Sequence, residues 1–210
     1  MKIKNKFWLA VCLLALSFFA KADNHVHFIL FGGFNSSKTL TDFNTKQVVF
    51  SEAKHNYNFG AGIRFEFATY FFIQPEVYFT RKGGLANAFR PHGGDTTFNV
   101  DMQSLDLPIM VGLRLLHSEG FCFRLYGGPV ISYLKDQRID VQNNGQTLPT
   151  WSEIKTNTRA FSLQIGAGLD ITRRFTFDVR YEYALSPMLK ISDFKTTHRI
   201  LYFTLGLKLF

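Results

Sequence analysis

Disulfide chemistry has almost no foothold in this sequence. There are two cysteines, Cys12 and Cys122, and the first lies in a segment that reads as removed on export. A mature chain with one cysteine cannot form an internal bridge, so an exported protein of this kind must hold together by other means. Long apolar runs are equally scarce. After residue 22 no stretch reaches 18 consecutive apolar residues, which excludes spanning helices. Charge of one sign is not concentrated either. The 24 Lys+Arg against 16 Asp+Glu give +8 over the whole chain, with no basic patch, so nucleic acid is not an expected partner.

The removed segment explains half of that charge. Met1 to Lys6 carries three lysines, and Phe7 to Ala20 is an uncharged run of 14 residues followed by Ala20-Lys21-Ala22. A basic start, an apolar stretch of this length and a small-x-small site describe a secretory leader cleaved after Ala22. The run is shorter than the ~20 residues of a spanning helix, and Cys12 inside it does not make a lipoprotein site. Residues 23–210 are then the mature domain, 188 residues at +4 once four leader lysines are subtracted, a length that suits one domain.

Phenylalanine is abundant, at 24 of 210 residues, and apolar residues alternate with small or polar ones. Tyr57, Phe59, Ala61, Ile63, Phe65 and Phe67 form one such set; Leu105 to Leu115, Phe161 to Ile171 and Phe175 to Tyr183 repeat it. Period two is the signature of a strand with one apolar face. The runs reach ten residues or more, longer than the usual 5–6 of soluble strands and matched to the ~9–11 that cross a bilayer with tilt. Strands are expected near 25–35, 56–67, 71–81, 102–115, 121–134, 159–171, 175–185 and 199–210. Long gaps at 36–55, 82–101, 135–158 and 186–198 alternate with short links at 68–70, 116–120 and 172–174. That sorting fits an all-β, eight-stranded antiparallel up-and-down transmembrane β-barrel with short periplasmic turns and longer outer loops. It places the chain in the outer membrane of a Gram-negative bacterium. Only helices and closed barrels satisfy their backbone in lipid.

Four strand ends share a pattern: Gly62-Ile63-Arg64-Phe65, Gly112-Leu113-Arg114-Leu115, Gly168-Leu169-Asp170-Ile171 and Gly206-Leu207-Lys208-Leu209. Each sets a small residue and then a charge on the inner face. Phe71, Phe121 and Phe175 open the rising strands, where aromatics sit at headgroup level. Pro75 and Pro108 fall inside strands and are expected to mark bulges or kinks, because proline lacks the ladder N–H. Val26 to Phe31 is apolar on both faces after His27, so the register of the first strand is open.

Ser104-Leu105-Asp106-Leu107-Pro108-Ile109 followed by Gly127-Gly128-Pro129, together with Phe71-Phe72-Ile73-Gln74-Pro75-Glu76, resembles the PorT-like family of outer-membrane β-barrel proteins across about residues 25–210. The resemblance implies that both strand prolines are family features. It also implies a link, through one branch of the family, to a secretion system that exports cargo across the outer membrane. Phe210 resembles the terminal aromatic that the barrel-assembly machinery reads, although Lys208 stands where an apolar residue is usual.

Inner-face charges are the first candidate site: Arg64, Glu66, Glu76, Asp106, Arg114, Arg124, Asp170, Asp178, Arg180, Glu182 and Lys208. Eight strands leave an interior just wide enough for side chains, so these charges must pair and plug the lumen; the alternative is a narrow pore. The second candidate is the outer loops, where Arg81, Lys82, Phe89, Arg90, His92 and Trp151 offer aromatic and basic contacts for lipopolysaccharide, glycan or protein. His25 and His27 share a face but lack a third metal ligand. His55, His92, His117 and His198 are expected at solvated ends. An enzymatic alternative, a lipid-modifying barrel, would need Ser186 or Ser192 to meet His198 at the rim. The leading expectation is a monomeric, non-enzymatic barrel without cofactor, structural or binding in role, and touching outer-membrane lipid, the assembly machinery and secretion proteins.

Overall fold

The computed structural model describes residues 25–43, 48–67, 69–90, 94–118, 120–143, 146–147, 159–172, 174–186, 189–191 and 194–209. The expected leader and its cleavage site lie outside them. The strands are β1 (His25–Phe43), β2 (Val48–Phe67), β3 (Phe71–Arg90), β4 (Gly94–Ser118), β5 (Phe121–Asn143), β6 (Gln146–Thr147), β7 (Arg159–Ile171), β8 (Phe175–Ala184), β9 (Leu189–Ile191) and β10 (Phe194–Lys208). Each long strand pairs antiparallel with its neighbours, and β1 also pairs with β10, so the sheet closes into an eight-stranded barrel. The short β6 and β9 only extend the edges of β5 and β10.

Register fixes the shape. Following partners around the wall from Ser36 leads through Leu201, Tyr181, Ile165, Gly127, Val111, Ile73 and Phe65 to Val26. The path returns to β1 ten residues from its start. Ten residues of stagger over eight strands, with ~3.3 Å rise and ~4.8 Å spacing, tilt the strands by about 41° and give a backbone radius of about 8 Å. A cylinder this narrow is filled by its own side chains.

The alternation sorts the faces as the pleat requires. Phe59, Ile109, Ile165 and Leu205 point outward and are exposed, Leu205 at 65%, while Arg64, Met110, Gln164 and Thr204 on the same strands are buried. Between the end of β3 at Phe71 and the outward Arg81 the outer face of β3 carries no charge, and that separation is a height of about 25 Å at this tilt, which matches a hydrocarbon layer. The four strand-end patterns place Gly62, Gly112, Gly168 and Gly206 inward. A Cβ at Gly168 would stand 2.5 Å from Arg124 Nη2, and one at Gly112 would stand 2.6 Å from Phe72 Cζ. These glycines are small because the charged and aromatic side chains beside them need the volume. In β1 the register resolves with Ile29 and Phe31 inward against Tyr78 and with Val26, Phe28 and Leu30 outward.

Two expectations need correction. Six strands extend past their expected ends: β1 reaches Phe43, β2 begins at Val48, β3 and β4 run paired to Arg90↔Gly94, β5 reaches Asn143 and β10 begins at Phe194. Past Lys82 on β3 and above His198 on β10 the alternation of large apolar with polar residues that marks the belt is no longer sustained in the sequence, which is why periodicity missed these extensions. The prolines do not cause bulges. The ladder skips two residue pairs beside Pro75 in the β2–β3 seam, beside Pro108 in β3–β4 and beside Pro129 in β4–β5, and resumes each time in the same register. Each residue of an antiparallel ladder bonds to one neighbour only, so a missing N–H interrupts one seam and leaves the other intact. The register shifts lie elsewhere, between Ser37 and Leu40, Ala53 and Asn58, Gln103 and Ser104, and Arg114 and Leu116.

Candidate functional site

Among the described side chains every second residue of each wall strand, away from the register shifts, enters the lumen, and the polar ones meet in three linked tiers. The lowest tier gathers around Asp170, whose carboxylate takes Arg64 Nη1 at 3.0 Å, Arg124 Nη2 at 3.0 Å and Lys208 Nζ at 2.9 Å. Arg114 Nη1 lies 2.8 Å from Glu66, which also stands 3.6 Å from His27 Nε2. Arg64 Nε donates to Gln74 Oε1 at 2.5 Å.

Asp178 and Arg180 build the middle tier. Asp178 accepts from Arg124 Nη2 at 3.1 Å and from Tyr126 OH at 2.5 Å, and Arg180 Nε donates to that same phenol oxygen at 3.0 Å. Both ends of the Arg180 fork reach Glu76, one at 3.0 Å. Paired donors on one carboxylate are the strongest geometry an arginine has. Phe31, Tyr78 and Tyr126 surround the guanidinium carbon at 5.3–5.4 Å from their centroids, so its faces as well as its edges are occupied.

The upper tier centres on Glu182. It accepts from Tyr202 OH at 2.8 Å and Ser162 Oγ at 2.9 Å, and stands 3.2 Å from His198 Nε2 and 3.3 Å from Lys82 Nζ. Lys82 reaches on to Asp106 at 2.9 Å. About 10 Å³ of space remains here, lined by Asn58, Tyr78, Thr80, Asp106 and Gln164 among others, roughly the room one water needs. Those five residues also hold most of the nearby polar atoms that have no protein partner.

All eleven expected inner charges therefore lie in the lumen, with Arg114 at its lower, partly open end. Lys82 is a correction. It was expected in an outer loop, yet β3 continues past it and period two carries its side chain inward, where it is fully buried. With Lys82 the lumen holds, among the described residues, six Lys or Arg and six Asp or Glu side chains. The signal was present as the uninterrupted series Gln74, Glu76, Tyr78, Thr80, Lys82, but the Gly83-Gly84 that follows reads as a turn. His198, expected at a solvated end, is also buried. Its Nε2 is committed to Glu182, while Ser186 Oγ accepts from Phe161 N at 2.7 Å. These two partners of the enzymatic alternative are not brought together; Ser192 lies outside the described residues.

The rest of the second candidate is divided. Arg81 points outward, 3.9 Å from Asp101. The side chains of Phe89 and Arg90, and the whole of His92 and Trp151, lie outside the described residues, as do the side chains of His25 and His117. His55 is exposed, and Cys122 is buried on the inner face near the lower rim. Among the described residues no group of three or more His, Cys, Asp or Glu is arranged to hold a metal.

The model of the outer membrane protein β-barrel domain family matches residues 19–190. Among solved structures, the outer membrane protein OprG of Pseudomonas aeruginosa is similar at 13% identity and a TM-score of 0.54, over 90% of this chain and 98% of that one. Neisserial surface protein A is similar at 11% identity and a TM-score of 0.48, over 86% and 97%. The attachment invasion locus protein Ail of Yersinia pestis is similar at 14% identity and a TM-score of 0.43, over 87% and 98%. At such identities the likeness concerns the fold alone. No curated protein matches. The chain belongs to the outer membrane protein β-barrel domain family and is an integral protein of the outer membrane.

Proposed function

We propose that this barrel is a closed, non-enzymatic scaffold that works by binding envelope components at its outer rim and neither conducts nor transforms small molecules. The observation that carries the reading is the lumen. Among the described residues six acids and six bases interlock between the strands, and the cavity beside Glu182 holds only about 10 Å³. A solute crossing that column would have to part buried ion pairs, each of which costs about 3–5 kcal/mol to break. Where the outer rim meets a partner, the PorT-like motifs make a secretion assembly the first candidate, with this chain as an accessory. Export by a leader cleaved after Ala22, delivery by the barrel-assembly machinery, and a monomeric state without cofactor belong to the same proposal.

Two measurements test it. In planar bilayers the purified protein gives no resolvable single-channel steps, whereas regular steps in the unmodified protein would overturn the closed-scaffold reading. Crosslinking in whole cells followed by purification captures secretion-system proteins. Recovery of assembly machinery and lipid alone would overturn the accessory role and leave the closed barrel standing.

A further inference from the structure

The outer edge of the apolar belt carries an arrangement that the lumen does not explain. Ten residues of stagger over eight strands mean that a level plane climbs about 1.25 residues per strand relative to the paired partners. Starting from Lys38, whose partner is Arg199, that slope puts the same height near residue 198 on β10, 159 on β7, 134 on β5, 103 on β4, 82 on β3 and 54 on β2, each to within about one residue. The charged outer-face side chains described within about two residues of that height are Lys38, Lys54, Arg81, Lys135, Arg159 and Arg199, with Asp101 and Asp136 as the acids. Gln103 on β4 and the exposed Leu185 just past β8 stand there without charge, and His55 is exposed beside Lys54.

Below this ring the outer wall is apolar and uncharged, so the bases stand where hydrocarbon ends. Two are pinned there by rings beneath them. The Arg159 guanidinium carbon lies 5.5 Å from the Tyr133 centroid, and that of Arg199 lies 5.5 Å from the Tyr183 centroid. A guanidinium held face-on to an aromatic keeps its N–H edge free for a planar or tetrahedral anion. On the opposite side, Lys54 Nζ lies 2.7 Å and Arg81 Nε 3.9 Å from the one carboxylate of Asp101. Two cations share one acid there.

We propose that this ring binds the phosphate groups of the anionic glycolipid in the outer leaflet, so that the barrel carries an ordered shell of phosphorylated lipid. Headgroup phosphates already lie at that height. Four excess positive charges spread around the whole circumference match a lipid annulus, whereas a soluble anionic partner would approach from one side. The charge selects the outer leaflet, because the ring stands at the rim where β3 and β4 continue beyond the membrane.

The test compares the unmodified barrel with Lys38→Gln/Arg81→Gln/Arg159→Gln/Arg199→Gln in phosphatidylcholine nanodiscs. The probes are diphosphoryl lipid A and dephosphorylated lipid A, and retained lipid is counted by native mass spectrometry. The unmodified protein retains the diphosphoryl form by at least about tenfold over the dephosphorylated one, and the variant loses that preference, since each basic residue near an anionic surface contributes appreciably to the attraction. Raised salt weakens it in the same way. Equal retention of both lipids, or a variant that keeps the preference, overturns the proposal. So does displacement of lipid A by millimolar inorganic phosphate, which would assign the ring to the free anion. If the fourfold variant does not give the compact heat-sensitive band of a folded barrel on gels, Lys38→Gln/Arg199→Gln and Arg81→Gln/Arg159→Gln, each keeping two of the four bases, are measured against the same standard.

Discussion

Removing the Lys82 ammonium should be among the most damaging single changes in the lumen, and the neighbours determine how it can be repaired. Lys82 is fully buried, 2.9 Å from Asp106 and 3.3 Å from Glu182. Lys82→Met keeps the stem volume and deletes the charge, leaving two carboxylates without it. Breaking a buried pair by removing one partner costs about 3–5 kcal/mol. The two acids are not equivalent afterwards. Glu182 keeps Tyr202, Ser162 and His198. Asp106 Oδ2 loses its ion-pair partner, and Oδ1 already has none. Adding Asp106→Asn to Lys82→Met should therefore restore more than half of the loss, and adding Glu182→Gln should restore clearly less. Urea unfolding in lipid vesicles, followed by far-UV circular dichroism and by the gel shift of the folded barrel, gives all four stabilities. A Lys82→Met barrel within about 0.5 kcal/mol of the unmodified protein would refute the account of the lumen. So would better rescue by Glu182→Gln than by Asp106→Asn, because the ordering follows from the contacts alone.

Three further substitutions separate the faces of the wall. Gly168→Ala places a Cβ 2.5 Å from Arg124 Nη2 and should destabilise by about 1–3 kcal/mol, whereas Gly32→Ala, with nothing within 4 Å, should lie within about 0.5 kcal/mol in the same urea assay. On the outer face, Ile165→Arg puts a charge amid the apolar belt of β7 and should cost about 2–4 kcal/mol in vesicles. An unchanged midpoint there would mean that the position does not meet lipid.

What was legible in the sequence follows from which forces leave a mark on side chains. The apolar belt and the eleven inner charges could be read from period two because a one-residue slip would expose every one of them to the wrong solvent. The glycine-then-charge strand ends had the same origin in volume. Beyond Arg81, Lys82, Gly83 and Gly84 that constraint fades. Ser37 Oγ and the Gly83 backbone hold one another there, Gly83 N donating at 2.9 Å, and main-chain pairing leaves no periodic trace in composition. Lys82 and His198 still follow the alternation, but each stands where it is about to end, and the Gly83-Gly84 after Lys82 reads as a turn. The prolines misled in the other direction. Their chemistry correctly signalled a lost ladder bond, but a local rule could not tell that two seams per strand let the wall absorb the loss without changing register. The basic ring at the outer edge was invisible because its members lie on six strands and become level only once stagger is known.

The account depends on acyl chains solvating one face of each strand while a packed polar column fills the other. Spin labels placed singly from Phe161 to Ile171 on β7, in a Cys122→Ser background and in lipid vesicles, read this directly through collisions with oxygen and with a water-soluble nickel chelate. Odd-numbered sites should collide often with oxygen and rarely with nickel, even-numbered sites rarely with either, in strict alternation. Loss of the alternation, or ready access of the nickel chelate to odd-numbered sites at mid-strand, would contradict it.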